Sequence, residues 1–344
     1  MIKVLIVEDS LIAQQLLTQI LNCDPEITVI GTASDGAEAL KFLSRSKPDV
    51  ITMDFHLPGD NGLTVARQIM ETKPVPIIIV SATWSDDQFS RAFELMDAGA
   101  VGTIRRPAGP GHPDYEPLAA QLRQLVKSMS EIKVVKRSAR FKSKSPQSAQ
   151  IPALGQKVVA IGASTGGPPV LATILGSLGA HYPFPILVVQ HIGGVFLDGL
   201  VSWLKTKCAL PIEVGNEGTI LQPGHVYIAP DGLHMGVKQR DQIFLSHAQP
   251  DHGVKPSADF LFRCVADTYG ARAIGILLTG MGCDGAEGLD IMHKKGAVTI
   301  AQEQQSCAVF GMPAEAIRLG AAQFVLVPEK ISQALIAHAA NHKQ

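Results

Sequence analysis

The sequence predicts an α/β protein of two domains, each built on a mainly parallel sheet. In both halves, short apolar segments alternate with segments whose apolar residues recur at helical spacing. Between the halves, this periodicity stops and lysine, arginine and serine accumulate. We therefore expect one domain at residues 1–126, a flexible basic linker at 127–156 and a second domain at 157–344.

The composition narrows the class of protein. The chain of 344 residues is long enough for two hydrophobic cores, and its 30 Lys+Arg and 31 Asp+Glu give no overall charge that would favour nucleic acid or membrane. Five scattered cysteines without C-x-x-C spacing argue against a disulfide framework and a zinc site. No signal peptide and no apolar run of about 18 residues is present. We expect a cytoplasmic protein that does not insert into a membrane.

The first half alternates strictly between strand and helix patterns, which indicates a doubly wound parallel sheet. The expected strands are Lys3–Val7, Thr28–Thr32, Val50–Met53, Ile77–Val80 and Val101–Ile104. The expected helices are Leu11–Leu21, Ala37–Leu43, Gly62–Met70, Gln88–Met96 and Leu118–Ser128. Sheets of this kind bind their ligands at the carboxyl ends of the strands.

Charged and polar residues occupy those strand ends. Glu8 and Asp9 follow the first strand and Asp54 follows the third, so we expect their carboxylates to converge. Converging carboxylates repel one another unless a hard cation such as Mg²⁺ lies among them. Ser81 ends the fourth strand, where its hydroxyl can bond an anion, and Arg106 follows the fifth. The pattern predicts a cation site with anion-binding groups beside it.

These residues lie in motifs that resemble the receiver domain of two-component response regulators. The motifs are Val7-Glu8-Asp9-Ser10, Met53-Asp54-Phe55-His56-Leu57-Pro58, Asn61-Gly62, Ser81-Ala82 and Gly99-Ala100. The resemblance implies a flavodoxin-like (βα)5 fold in which Asp54 accepts a phosphoryl group from a histidine kinase. It also implies Mg²⁺ held by Glu8, Asp9, Asp54 and the backbone carbonyl of His56, with Ser81 contacting the phosphoryl oxygens.

Two positions depart from the receiver pattern. Receivers usually carry lysine before the proline after the fifth strand, and this chain has Arg106 there. Arginine keeps the positive charge but is a planar fork on a different stem, so the replacement is not conservative. The resemblance implies that Arg106 contacts the phosphoryl group together with Ser81. The aromatic switch residue of the family is replaced by Thr103.

The second half opens with a strand, a tight turn and a helix. Val158–Ile161 predicts a buried strand, Ser164 and two glycines form the turn, and two prolines open an apolar-periodic helix. Gly162, Ser164 and Gly166 have the G-x-S-x-G spacing of a nucleophile elbow. Such a turn lifts the serine oxygen clear of the sheet, and N–H groups of the helix N-terminus can stabilise an oxyanion. The alternative is a glycine-rich turn that only packs or holds a phosphate.

Further strands and helices follow this turn. The expected strands are Pro185–Gln190, Val226–Ala229, Ile243–Ser246, Ala273–Thr279 and Ala297–Ala301, and the expected helices are Asp259–Tyr269, Gly288–Lys294, Ala314–Leu319 and Ile331–Asn341. His191 directly follows one strand, and Asp284 lies in a glycine-flanked loop after another. A serine nucleophile needs a base and an orienting acid. Strand ends of one sheet would bring Ser164, His191 and Asp284 together.

The second half resembles the catalytic domain of the chemotaxis protein-glutamate methylesterases, the CheB family. The resemblance rests on Ile161-Gly162-Ala163-Ser164-Thr165-Gly166-Gly167-Pro168, Val189-Gln190-His191, Tyr227-Ile228-Ala229-Pro230, Leu277-Leu278-Thr279-Gly280-Met281-Gly282-Cys283-Asp284-Gly285-Ala286, Ala301-Gln302-Glu303 and Phe310-Gly311-Met312-Pro313-Ala314-Glu315-Ala316. The order serine, histidine, aspartate differs from that of the α/β-hydrolases, so we do not infer their fold. We expect a doubly wound α/β domain with a mostly parallel sheet.

The family resemblance implies roles for individual residues. Ser164, His191 and Asp284 would form the triad, the backbone N–H of Met281 would bind the oxyanion, and Thr165 would help to shape the site. Cys283 stands where the family more often has a polar residue. A free cysteine beside the aspartate is either inert or oxidisable, and we expect it to be inert. The hydrolase would need no cofactor.

The resemblance also implies a substrate and partners. These are glutamate methyl esters, and some glutamines, on the cytoplasmic domain of chemoreceptors, together with the chemotaxis histidine kinase. The main alternative is a phosphorylation-controlled binding protein with a catalytically weak output domain. A transcriptional regulator or a small-molecule esterase would be further alternatives. No recognition helix follows the basic linker, so we expect no binding to nucleic acid.

Overall fold

The structure, a computed structural model, describes residues 1–57, 62–81, 92–96, 98–131 and 158–341. The chain divides into two compact units, whose described residues lie within 1–131 and 158–341. Within these ranges, no helix is long and apolar enough to span a membrane.

The first unit is a five-stranded parallel sheet in the order β2-β1-β3-β4-β5, with helices on both faces. This is the flavodoxin-like strand order, so the predicted fold class is confirmed. Its elements are β1 Ile2–Val7, α1 Leu11–Asn22, β2 Ile27–Ala33, α2 Gly36–Arg45, β3 Val50–Asp54, α3 Gly62–Thr72, β4 Ile77–Ser81, β5 Gly102–Arg105 and α4 Tyr115–Ser130.

The central strands of this sheet are buried on both faces, which explains their continuous apolar sequence. In β1, Leu5 and Val7 pack into the core beneath α2 and α3, whereas Val4 and Ile6 pack into the core beneath α1 and α4. The Ser10 hydroxyl caps α1 by accepting a hydrogen bond from the N–H of Ala13, as expected of serine at a helix N-cap.

The second unit is a seven-stranded parallel sheet in the order β14-β13-β12-β6-β7-β9-β8, with a separate antiparallel hairpin, β10–β11. Its elements are β6 Val158–Ala163, α5 Gly167–Gly176, β7 Ile186–Gln190, α6 Gly194–Lys207, β8 Ile212–Val214, β9 Val226–Ile228, β10 His234–Lys238, β11 Gln242–Ser246, α7 Ala258–Tyr269, the 3₁₀ turn Gly270–Arg272, β12 Ala273–Leu277, α8 Ala286–Lys294, β13 Val298–Gln302, the 3₁₀ turn Gln304–Ser306, α9 Met312–Arg318, β14 Phe324–Leu326 and α10 Pro328–Asn341.

Strand β6 lies at the centre of this sheet. The chain runs from β6 to β7 on one side and later returns to place β12 on the other side. The strand order therefore reverses beside β6, and open α/β sheets bind ligands at such a reversal.

Several elements differ from the sequence predictions. The helix α6 and the strands β8, β10 and β14 were not predicted. Helix α6 opens at Gly194, and glycine is a poor helix former. The β10–β11 turn uses Arg240 and Asp241 at positive φ instead of the usual Asn-Gly, so its sequence signal is weak.

The helix α4 ends at Ser130, so the first residues assigned to the linker, 127–130, are helical. Most of the predicted linker, residues 132–156, lies outside the described residues. So do residues 88–91 of one predicted helix and three receiver-motif residues, namely Pro58, Asn61 and Ala82. The domain boundaries stay a prediction.

Candidate active site

The residues predicted to form the triad lie at the carboxyl ends of three adjacent strands. β6 and β7 are parallel neighbours, and their register pairs Ala163 with Gln190. The next residues along the two strands are Ser164 and His191, which are therefore side by side. β12 lies on the other side of β6, and the loop that follows it carries Asp284. The sheet order makes neighbours of residues that are distant in sequence.

The turn that carries Ser164 is fixed by backbone hydrogen bonds. The N–H of Ser164 donates to the carbonyl of Thr279 at 3.0 Å, and the Ser164 carbonyl accepts from the N–H of Gly167 at 2.8 Å. Gly166 has a φ of 76°, a conformation that favours glycine. A Cβ atom at Gly280 would lie 2.7 Å from the Cβ of Ser164, so only glycine permits the observed approach.

The side chains of His191 and Asp284 are in direct contact. The Nε2 atom of His191 lies 2.8 Å from Oδ2 of Asp284, and their side chains are 16% and 4% exposed. The Nδ1 atom of His191 is therefore the nitrogen left to accept a proton. Within the described part of the second unit, the hydroxyl of Ser164 makes no hydrogen bond with the His191 ring. Contacts between nucleophile and base are often long before substrate binds.

The carboxylate of Asp284 is buried at the N-terminus of α7. The Ser257 hydroxyl donates to its Oδ1 at 2.7 Å, and the backbone N–H groups of Ala258 and Asp259 donate to Oδ2 and Oδ1 at 2.7 and 3.2 Å. Burial works to raise the pKa of Asp284, but hydrogen bonds from His191, Ser257 and Ala258 outweigh it and hold this pKa below its usual value. Asp284 is therefore ionised at neutral pH.

Two glycines allow the helix to reach this carboxylate. A Cβ atom at Gly162, in β6, would lie 2.7 Å from the Cβ of Ala258, and one at Gly285 would lie 3.1 Å from the same atom. Ala258 is the first residue of α7. The glycines on either side of it let the first turn of α7 approach Asp284, whose negative charge the helix N-terminus stabilises.

Two buried glutamines that sequence reasoning did not assign a role brace the site. The Nε2 atom of Gln190 donates to the carbonyls of Ser164 and His191 at 2.8 and 3.1 Å. The Oε1 atom of Gln302 accepts from the N–H of Thr279 at 2.8 Å. Each glutamine is the last residue of a fully buried strand, which is otherwise apolar for Gln190 and also contains Thr299 for Gln302. A polar residue at that position was the available sequence signal.

Two backbone N–H groups near the nucleophile have no partner among the described residues. They belong to Thr165 and Met281, the two residues predicted to bind the oxyanion or shape its site. The carbonyl of Thr165 accepts a hydrogen bond from the Thr279 hydroxyl at 3.0 Å, which fixes the peptide between Thr165 and Gly166. The Met281 side chain is exposed. These groups could donate to an oxyanion, and that role stays a prediction.

In the first unit, three acids meet at the ends of β1 and β3. Ligand oxygens of Glu8, Asp9 and Asp54 all lie within 4.8 Å of one another. Burial raises the pKa values of Glu8 and Asp54, and the charge of Asp54 raises that of Glu8 further. The guanidinium of Arg106 lies 2.8 Å from Oε2 of Glu8 and opposes this rise. A divalent cation would relieve the remaining repulsion.

The other predicted receiver residues lie around this cluster. Ser81 is buried at the end of β4, the strand beside β3. His56 is exposed, and its ring meets that of Phe55 edge-on at 4.8 Å between centroids. Thr103 is half-buried in β5. Arg106 is paired with Glu8, and the phosphoryl contacts of Arg106 and Ser81 stay predictions.

Comparisons with known proteins match both units. The family model described as CheB methylesterase matches residues 159–335, and the model described as response regulator receiver domain matches residues 4–112. A protein-glutamate methylesterase/protein-glutamine glutaminase of Nitrosospira multiformis is 50% identical, covering 97% of this chain and 96% of its own. A Geobacter metallireducens protein of the same name, numbered 4, is 47% identical, covering 97% and 98%.

A solved structure also resembles the second unit. It is the catalytic domain of the Thermotoga maritima CheB methylesterase, which is 38% identical and gives a TM-score of 0.51. The match covers 53% of this chain and 98% of that one. The comparisons therefore extend over nearly the whole chain in sequence and over its second unit in fold.

We expect Gln190→Glu to slow the labelling of Ser164 by a fluorophosphonate probe about tenfold or more. The carboxylate would face the carbonyls of Ser164 and His191 where the amide now donates to both, and unpaired buried polar groups are costly. Protonating this carboxylate would restore one hydrogen-bond donor. The difference in labelling rate between Gln190→Glu and the wild type should therefore become smaller as the pH falls. The measurement is the second-order labelling rate as a function of pH.

The matched control is Gln242→Glu, in β11. Its amide also donates to a backbone carbonyl, that of Gly218, at 3.0 Å, but it lies outside the triad loops. If Gln190→Glu is labelled at the wild-type rate across the pH range, the amide of Gln190 does not position the two strand ends.

Proposed function

Because this chain belongs to the CheB methylesterase family, we propose that Ser164, His191 and Asp284 are the catalytic triad of its methylesterase and glutaminase activity. The chain combines that catalytic domain with a receiver domain, and it is a phosphorylation-regulated protein-glutamate methylesterase/protein-glutamine glutaminase. The observation that best supports this triad is the 2.8 Å contact between His191 and the buried, hydrogen-bonded Asp284 beside the Ser164 turn.

The first half of the reaction is acyl transfer to serine. The oxygen of Ser164 attacks the carbonyl carbon of the glutamyl ester while Nδ1 of His191 takes its proton. Asp284 holds the Nε2–H of His191 and stabilises the imidazolium that forms. The tetrahedral oxyanion accepts hydrogen bonds from the N–H groups of Thr165 and Met281.

The second half returns the enzyme to its starting state. The imidazolium gives its proton to the leaving group, which is methanol from an ester or ammonia from a glutamine amide. Water then attacks the acyl-enzyme with His191 again acting as base, and a glutamate carboxylate is released. Exposure of the Met281 side chain and partial exposure of Ser164 support access by a residue on the surface of a protein substrate.

For the receiver domain, we propose that Asp54 accepts the phosphoryl group and that Glu8, Asp9, Asp54 and the carbonyl of His56 hold Mg²⁺. The clustered oxygen donors and the raised pKa values of Glu8 and Asp54 support a hard cation. Such an ion, when bound, supplies the positive charge that offsets the acids and the phosphoryl group. Ser81 and Arg106 would contact the phosphoryl oxygens. For this contact, Arg106 has to break its ion pair with Glu8 or bind Glu8 and the phosphoryl group at the same time.

The proposed partners follow from the family. They are the cytoplasmic domain of methylated chemoreceptors, as substrate, and the chemotaxis histidine kinase, as phosphoryl donor. We place the enzyme in the cytoplasm with them. Phosphorylation of Asp54 would then set the rate at which the second unit removes methyl groups.

We expect Ser164→Ala and His191→Gln each to lower methanol release from methylated receptor by about 10⁴-fold or more, and the double variant to be little slower than either. Nucleophile and base act as one unit, so their losses do not add. The matched control is His247→Gln, an exposed histidine in the same unit, which should retain the wild-type rate. A binding protein without catalysis would give no Ser164-dependent methanol at all.

We expect Mg²⁺ to raise the thermal unfolding midpoint of the first unit, and Glu8→Gln to reduce that response. An ion at about 100 times its Kd stabilises by about 2.7 kcal/mol. In the metal-free protein, the raised pKa values mean that stability is highest when the acids are protonated and falls as the pH rises through those values. Neutralising Asp54 by Asp54→Asn should therefore raise the metal-free midpoint.

Calorimetry of each variant with Mg²⁺ and with a chelator is the measurement. Glu71→Gln, an exposed position on α3, is the control and should respond to Mg²⁺ like the wild type. Equal midpoints with and without Mg²⁺ would contradict a cation site among these acids, without bearing on the triad.

A further inference from the structure

Beside the triad loop, a second set of side chains lines up as aspartate, histidine and cysteine. The Sγ atom of Cys283 lies 3.7 Å from Nδ1 of His252, and Nε2 of His252 lies 3.1 Å from Oδ2 of Asp259. The side chains of these three residues take no part in the hydrolysis described above, although the backbone N–H of Asp259 contacts Asp284. A nucleophile within reach of a base that a third group orients is the arrangement of an activated side chain.

Asp259 is the fixed end of this set. Its side chain is fully buried, and Oδ1 accepts a hydrogen bond from the N–H of Gly288 at 2.5 Å. Oδ2 accepts no hydrogen bond in the described part of the chain and lies within ion-pair distance of His252 alone. A buried carboxylate oxygen without a donor is costly. The ring of His252 lies with its Nε2 towards Asp259 and its Nδ1 towards Cys283.

The backbone holds His252 in a conformation that histidine rarely adopts. Its φ is 47°, in the left-handed region. Asp251 and Val254 exchange two backbone hydrogen bonds, of 3.1 and 2.8 Å, around the turn, and Asp251 also pairs with Arg263 of α7. Residues kept in such conformations by their surroundings cluster at functional sites. In this conformation, the imidazole of His252 faces the thiol of Cys283.

Cys283 needs this base in order to react. Burial and the nearby carboxylates of Asp259, Glu315, Asp284 and Glu287 raise the pKa of its thiol, so the thiolate does not form on its own at neutral pH. An imidazole in contact with the thiol can take its proton during the reaction. The side chain of Cys283 is half-exposed and within reach of a small solute.

The other cysteines lack this arrangement. Burial raises the pKa of Cys208 and Cys264 to about 11 and that of Cys307 to about 12. None of the three contacts a histidine among the described residues. Cys23 is exposed, and it too makes no contact with a histidine within the described ranges. The sequence alone led us to expect an inert Cys283, because the histidine comes from a separate loop.

We propose that Cys283 is a modification site for small two-electron oxidants of the hydroperoxide class, with His252 as its base and Asp259 as the residue that positions the base. The sulfur attacks one oxygen of hydrogen peroxide while its proton passes to Nδ1 of His252, and the O–O bond breaks. The leaving hydroxide takes that proton back from His252 and becomes water. The thiol is oxidised by two electrons to a sulfenic acid, and the peroxide is reduced.

The oxidation reaches the hydrolase through the loop that both sites share. Cys283 precedes Asp284, and its carbonyl accepts the N–H of Ala286 at the start of α8 at 3.1 Å. An added oxygen on Sγ occupies the space towards His252 and displaces the loop that carries Asp284 and Met281. We expect a lower esterase rate in the oxidised protein. This second step rests on the triad proposed above, whereas the oxidation itself does not.

The test follows sulfenic acid at each cysteine of the full chain. The protein is exposed to hydrogen peroxide, trapped with dimedone and analysed by peptide mass spectrometry over time. We expect Cys283 to be labelled faster than Cys208, Cys264 and Cys307, and His252→Asn to slow Cys283 by about tenfold or more, since a positioned base contributes roughly 10²–10⁴-fold. Asparagine suits the left-handed backbone at this position, so this variant keeps the turn.

Cys23 is the internal control, because its rate should be the same in the wild type and in His252→Asn. Equal Cys283 rates in the two proteins, or no labelling of Cys283 when Cys23 is labelled, would overturn the proposal.

In a parallel assay, Cys283→Ser should keep its methanol release after peroxide treatment while the wild type loses it. If Cys283 of the wild type is labelled and its esterase rate is unchanged, oxidation occurs but does not affect the triad.

Discussion

The hydrogen-bonded charge of Asp284 is the interaction on which the hydrolytic site depends. A buried carboxylate is stable only if its oxygens are satisfied, and here a helix N-terminus, a serine hydroxyl and an imidazole do so. The same bonds keep the carboxylate ionised and orient His191. Loss of the charge would therefore disturb the base and the first turn of α7 together.

The topology of the second unit explains how this charge comes to face the nucleophile. Ser164, His191 and Asp284 come from β6 and its two neighbours, and glycines at 162, 166, 280 and 285 remove the side chains that would keep these segments apart. The first unit uses the same edge of a parallel sheet differently. Its acids lie together with Arg106 as one countercharge, which suits the cation binding and phosphoryl transfer that we propose for them.

The residues predicted for both sites come together because most of them directly follow or end a strand, and Asp284 lies in the loop after β12. The order of strands in doubly wound sheets limits where strand ends can meet. Sequence reasoning could not identify the residues that contact Asp284 and Cys283. Ser257 and the N-terminus of α7 contact Asp284 only through tertiary packing, and His252 reaches Cys283 from a separate loop. Gln190 was visible as a polar residue ending a buried strand, but the two carbonyls that it bridges depend on the register of β6 and β7.

If Asp284 fixes the tautomer of His191, Nδ1 is left as the base for Ser164. ¹⁵N NMR of the imidazole, at a pH where the ring is neutral, measures this tautomer directly. We expect the proton on Nε2, a downfield proton resonance coupled to that nitrogen, and loss of that resonance in Asp284→Asn. A neutral ring protonated on Nδ1, or a spectrum that Asp284→Asn leaves unchanged, would contradict this role of Asp284.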